Sequence, residues 1–164
     1  MVEPETIVED ARWSDALDVA ALTNDVASAV AAELDETLGA WCALFADDET
    51  VQALNRDHRG KDAPTNVLSF PADADMPGPH EPGLGDVALA FETIAREADD
   101  HGLDLRARTA HMLAHGLLHL LGYDHQADEE AADMERIETR ALARLGYADP
   151  YAPEPEPGLA EVGS

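Results

Sequence analysis

The sequence predicts a single α+β domain of about four short strands and about five helices. Three observations lead to that class. The chain has 164 residues, close to the common size of one domain and long enough to bury a real core. Four short apolar runs read as strands, spaced among stretches with helical periodicity. One segment, Met112 to Leu121, is apolar nearly all round, as a helix buried at the centre of a domain must be.

Taken in order, a first strand is expected around Glu5 to Glu9. Ser14 is placed to cap a helix whose stripe is Leu17, Ala20, Ala21, Val26, Ala29 and Val30. Leu38 to Phe45 reads as the second strand and contains the single cysteine, Cys42, expected as a buried strand residue. Asp47 or Asp48 caps a short helix through Val51 and Leu54, which is expected to end before a basic block, Arg56, Arg59 and Lys61. Asn66 to Phe70 and Gly85 to Ala90 are the remaining strands. Between them, Pro71 to Gly83 has four prolines and two glycines, which suits a loop or a flap. Glu92 to His101 is a helix stopped by Gly102, and Asp104 caps the buried helix. A last helix runs from about Asp128 to Leu145 with acids in its first turn and Arg136, Arg140 and Arg144 toward its end, closed by Gly146. The domain is expected to span 1–148, followed by an acidic, proline-rich disordered tail over 149–164.

The chemistry is concentrated in His115-Gly-Leu-Leu-His119-Leu-Leu-Gly-Tyr-Asp-His125. Histidines four apart share one helix face. Gly122 can end the helix in the left-handed conformation, so that His125 returns toward the other two. Three imidazoles suit a tetrahedral zinc ion that keeps its fourth position for water, which marks a catalytic rather than a structural site. Nickel and copper also take imidazole. Three unpartnered imidazoles among Leu117, Leu118, Leu120 and Leu121 would be costly to bury, which weighs against their being ordinary core histidines. The spacing matches the metzincin proteases, but where those carry a general-base Glu this chain has Gly116, which ranks peptide hydrolysis low.

Three blocks in this order resemble the YbeY family of bacterial zinc-dependent endoribonucleases: Leu54 to Pro71, Leu84 to Leu89, and His111 to His125. The similarity runs from roughly Leu44 to Gly146. It implies a small mixed sheet with helices packed on it and one zinc ion per chain, held at one end of the buried helix and on the following loop by His115, His119 and His125. It also implies a metallohydrolase that cuts single-stranded RNA, acting on ribosomal RNA precursors (16S 3′-end maturation and ribosome quality control). RNA and the ribosome or its small subunit are then the partners, with no DNA and no membrane. Arg59 is the arginine of the family's Asn-x-x-x-Arg block and the expected phosphate clamp, with Arg56 and Lys61 beside it. The plain alternative for Arg59 is a surface salt bridge to Asp62. His111, one turn before His115, is expected either to support the ligands or to move a proton near the leaving oxygen. Asp86 and Asp124 are candidates to orient imidazole N–H groups, and Phe70 and Tyr123 to stack bases. One departure stands out: Asn66 replaces the Asp that the family usually carries.

A net charge of −25 argues at first against a nucleic-acid partner. Residues 55–62, however, sum to +1 and residues 104–125 to zero, so the acidity lies elsewhere. One cysteine excludes an internal disulfide, and no run approaches the roughly 20 apolar residues of a membrane span, so a cytoplasmic protein is expected. Two other readings remain: a non-catalytic ribosome assembly factor stabilised by zinc, and a metallohydrolase of peptides or small molecules.

Overall fold

The computed structural model describes residues 3–71, 83–123 and 128–151. Four strands, β1 (Glu5–Val8), β2 (Trp41–Ala46), β3 (Val67–Pro71) and β4 (Gly85–Ala90), form one sheet in the order β1-β2-β4-β3. β1, β2 and β4 are parallel, and β3 is antiparallel to β4, so β3 is an edge strand. Among the described residues six helices accompany it: α1 (Ala11–Ala16), α2 (Val19–Leu34), α3 (Asp48–Arg59), α4 (Phe91–Asp100), α5 (Leu105–Leu120) and α6 (Asp128–Arg144). The α+β class, the small mixed sheet and the four strands agree with expectation.

The sixth helix arises where one was expected from Ser14. Asp10 caps α1 by accepting the Arg12 N–H, Leu17 is extended, and Asp18 starts α2 by accepting the Ala21 N–H. Ser14 lies inside α1 and donates to the Ala11 carbonyl. This break also rotates the stripe: Val19, Leu22, Thr23, Val26, Ala27 and Val30 are buried, while Ala20 and Ala21 are exposed. α3 likewise runs further than expected. Asp47 caps it, but it continues to Arg59 and ends at Gly60 in the left-handed conformation (φ 71°), so Arg56 and Arg59 occupy its last turn and Lys61 follows it.

Sheet parity sorts the two faces. Ala43, Val87 and Ser69 are in register on the face toward α5. Leu68, Ala88 and Ala90 face the other way and pack with Val51 of α3. α5 is the central helix: Ala110, Met112, Leu113, Ala114, Leu117, Leu118 and Leu120 are all buried. Each fully buried large side chain contributes about 1.5–3 kcal/mol, so this helix is held firmly and its histidines have a fixed base. Cys42 is in β2 as expected but only half-buried, beside Asp86 and Glu5. Burial and then those carboxylates push its thiol up to about 11, so it is inert. Asp149 and Tyr151, at the head of the expected tail, fold back on α6, where Asp149 accepts from Thr139 and from the Tyr151 N–H. The rest of that tail (152–164) and the expected flap (72–82) lie outside the described residues.

Candidate metal centre

α5 presents His115 and His119 one turn apart, and their Nε2 atoms lie 3.1 Å from each other. Two acceptors determine which ring nitrogen carries the proton. His115 Nδ1–H donates to Glu138 Oε2 at 2.9 Å, and His119 Nδ1–H donates to the Tyr123 carbonyl at 3.0 Å. Neither a carboxylate nor a carbonyl can donate back, so each neutral ring carries its lone pair on Nε2. Two lone pairs facing each other at 3.1 Å repel unless a proton or a cation lies with them. Two nitrogens bound at 2.0–2.1 Å on a tetrahedral ion stand about 3.3–3.4 Å apart. The donor set therefore fits a zinc-like ion. His125, expected as the third ligand, lies outside the described residues, as does Asp124; among the described residues no group of three His, Cys, Asp or Glu is placed to hold a metal.

Gly122, with φ 98°, turns the chain immediately after α5. That turn brings the Tyr123 N–H back to the Leu118 carbonyl and the Tyr123 carbonyl to His119.

Behind His115 stands Glu138, fully buried on α6. Its Oε1 accepts from His111 Nε2–H at 2.7 Å and from the Tyr151 hydroxyl. Burial alone would raise its pKa, but the three donors, His111, His115 and Tyr151, overcome that and hold it at about 2. It is thus an ionised carboxylate that fixes two imidazoles. The sequence carried a signal for it. Met134, Ile137, Glu138, Ala141 and Leu142 are the buried face of α6, and a charge in an apolar stripe needs partners.

His111 is 6 % exposed and does not line the cleft described below. Arg108 donates to its Nδ1 at 3.3 Å and also donates twice to Glu97, through Nε (3.1 Å) and a terminal nitrogen (2.8 Å). Asn66 donates from the other side to both Glu97 oxygens, at 3.0 and 3.3 Å. The amide at position 66 is therefore a donor to a carboxylate, a part that an Asp could not play. Asp86 is not at the site. It is exposed on the outer face of β4, with Cys42 and Phe70 as its register partners, because the neighbouring Val87 is the residue that faces α5.

His115 and His119 open onto a cleft of about 900 Å³ that runs along the outer edge of β3. Its other described walls include His58, Arg59, Asn66, Ser69, Phe70 and Tyr123. Arg59 thus shares the cleft with the two histidines across 56 residues of sequence. It makes no ion pair among the described residues, and Asp62, its expected surface partner, accepts from Gln52 instead. Arg56 and Lys61 are exposed and do not line the cleft, and Arg56 pairs with Asp57 at 3.2 Å. His58, which sequence reasoning passed over, sits edge-on to Phe70 with centroids 5.3 Å apart.

A sequence model of the family described as Endoribonuclease YbeY matches residues 8–146. The chain belongs to the YbeY endoribonuclease family. Among curated YbeY proteins, that of Maricaulis maris is 48% identical over 156 residues, 94% of this chain and 94% of its own. That of Paramagnetospirillum magneticum is 60% identical over 112 residues, 66% of this chain and 68% of its own. The solution structure of TM1509 from Thermotoga maritima has the same fold, with a TM-score of 0.54 at 19% identity, covering 92% of this chain and 99% of that one. Within the YbeY match lie both described histidines, Arg59 and Glu138; Tyr151 lies beyond it.

Proposed function

We propose that this YbeY-family chain is a zinc-dependent endoribonuclease that cuts single-stranded segments of ribosomal RNA precursors, at the 16S 3′ end and in ribosome quality control, in the cytoplasm. The observation that carries the reading is the pair of Nε2 atoms 3.1 Å apart, opening onto a cleft that also holds Arg59. His115, His119 and His125 would hold the ion. When bound, zinc supplies Lewis-acid chemistry: it polarises a phosphoryl oxygen and makes water acidic enough to attack near neutral pH.

The chain's own residues do the rest. Glu138 and the Tyr123 carbonyl hold the two rings with Nε2 toward the cleft. Arg59 meets the scissile phosphate, where its planar fork matches two non-bridging oxygens as charge grows on them. Phe70, His58 and Tyr123 offer ring surfaces to unstacked bases, which only an unpaired strand presents. Arg56 and Lys61 add positive charge on and after the last turn of α3. His111, held between Arg108 and Glu138, supports the ligands and does not meet the leaving oxygen.

Peptide hydrolysis is disfavoured on geometry as well as composition. A Cβ built on Gly116 would run into Val87 at 2.6 Å, so the position has no room for a base. The deciding experiment is cleavage of a single-stranded ribosomal RNA fragment by folded, metal-loaded protein, beside His115→Ala, His119→Ala and Arg59→Ala. Each variant is expected to lose about 100-fold or more in turnover, with zinc retained in Arg59→Ala. Cleavage unchanged in the histidine variants would overturn the proposal; no metal-dependent cleavage by the wild type, with a large loss of thermal stability on chelation, would favour the non-catalytic assembly factor.

A further inference from the structure

Tyr151 comes from beyond residue 146, where the family match ends, yet it reaches the centre of the histidine network. Its hydroxyl donates to Glu138 Oε1, the oxygen that also accepts from His111, while Oε2 accepts from His115. Its ring lies edge-on to His111, with centroids 5.3 Å apart at 87°. Tyr151 is 44% exposed while Glu138 is 0% exposed, so Tyr151 stands between the carboxylate and solvent. The segment that carries it is pinned beside Glu138, at the next residue of α6, because Asp149 accepts both the Tyr151 N–H at 2.8 Å and the Thr139 hydroxyl at 3.4 Å.

We propose that Tyr151 is a positioning residue of the metal centre: it clamps the Glu138 carboxylate and, through it, fixes the tautomer and aim of His115. The physical argument is one of degrees of freedom. A carboxylate held at one oxygen by His111 and at the other by His115 can still tilt, and it carries His115 with it. The third donor, coming from the solvent side, removes that tilt and keeps water from competing for Oε1. A ligand whose outer partner is fixed binds its metal more tightly than one whose partner moves. The clamp is thus supplied by a segment outside the family-matched region and serves a histidine inside it.

The inference rests on His115 being a metal ligand, and the test separates the two ideas. Full-length protein is loaded with zinc and titrated against a chromogenic chelator, with folding checked by circular dichroism. The set comprises Tyr151→Phe, Tyr151→Ala, Glu138→Gln and His115→Ala. Tyr151→Phe removes only the hydroxyl, which besides Glu138 also lies 3.1 Å from His111 Nε2, and is expected to weaken zinc affinity about two- to tenfold, on the scale of a net hydrogen bond. Tyr151→Ala also opens Glu138 to water and is expected to weaken it further. Glu138→Gln is expected to cost about 10- to 100-fold. With cobalt in place of zinc, the visible band is expected to shift in Tyr151→Phe, which a remote packing role would not cause. If His115→Ala loses the metal while both Tyr151 variants keep wild-type affinity and spectrum, the clamp is refuted and the ligand reading survives. If His115→Ala binds zinc as the wild type does, both are refuted.

Discussion

Gly116 offers the sharpest test of how α5 is seated. A Cβ built there would lie 2.6 Å from Val87 Cγ1, 3.2 Å from Val87 Cγ2 and 3.3 Å from Ser69 Oγ. Val87 has no exposure and is paired in the ladder to Ala43 on one side and Ser69 on the other, so it cannot retreat. Ser69 Oγ also donates to the Gly116 carbonyl at 3.0 Å, which ties the helix to the strand at this point. Gly116→Ala gains about 1 kcal/mol in helix propensity but incurs about 2–3 kcal/mol of overpacking. The net is a loss of about 1–2 kcal/mol, or roughly 2–8 °C in Tm for a chain of this size. Relief requires helix and sheet to part by about an ångström, and the adjacent residue is His115. A shift of that size at a catalytic group costs on the order of 100-fold in rate. The assay is urea unfolding and RNA cleavage of Gly116→Ala in two backgrounds, wild type and Val87→Ala. In the second background the obstructing methyl groups are gone, so the same substitution should change sign and stabilise by about 0.5–1 kcal/mol. A Gly116→Ala protein at least as stable as wild type, or an equal effect in both backgrounds, would refute the close-contact reading.

Asn66→Asp would set a carboxylate about 3 Å from the Glu97 oxygens; a loss of about 1.5–3 kcal/mol is expected in chemical denaturation, recovered by Glu97→Gln. Asp47 accepts the Thr50 N–H at 2.8 Å, and that backbone hydrogen bond lowers its pKa from 3.8. Its folded pKa lies below the unfolded one, so its contribution is present above the ordinary carboxylate range and is lost as pH falls through the folded value. Asp47→Ala should therefore cost about 1 kcal/mol at neutral pH and progressively less as the solution is acidified, read from melts at stepped pH. Chelation should abolish cleavage and, from a starting zinc concentration about 100 times Kd, remove about 2.7 kcal/mol of stability, seen as a drop of roughly 5–11 °C in Tm. With Arg59 the one Arg or Lys among the described cleft walls, log affinity for single-stranded RNA should fall with log salt at a slope of about −0.7 to −1.4, for one or two phosphates met at about −0.7 each; a slope steeper than −4 would place the RNA elsewhere on the surface.

The features legible in the sequence are those set within one turn or one strand. β4 was bounded at Gly85 and Ala90 because an apolar run ends at glycine on one side and at helix-forming residues on the other. The shared face of His115 and His119, and the turn at Gly122, follow from helix geometry and from the one residue that adopts positive φ at no cost. What could not be read depends on distance in sequence. Nothing in β3 announces that it lies antiparallel at the edge, because local pattern does not specify neighbours. Asn66 read as a lost charge until Glu97, 31 residues on, appeared beside it. Gly116 read as a missing base, whereas its place against Val87 makes it the contact that lets helix and sheet meet. Glu138 stood in plain view within the α6 stripe, but only the fold supplies His111, His115 and Tyr151 as the reason for it.

The placement of charge resolves the tension between a chain of net charge −25 and an RNA substrate. Beyond about 8 Å, exposed charges are largely screened at physiological ionic strength, so acidic surface far from the cleft slows encounter more than it opposes contact. At contact range the cleft matters, and its described walls hold Arg59 and no carboxylate. Among the described residues the acid that touches the histidine pair is Glu138, fully buried behind His115, with its oxygens turned to the imidazoles and Tyr151. There it raises the basicity of His115, as a metal ligand would need, and leaves Arg59 as the charged side chain among the described cleft walls. A carboxylate moved from behind His115 to the cleft wall would leave the net charge of the chain unchanged and reverse its effect on the substrate.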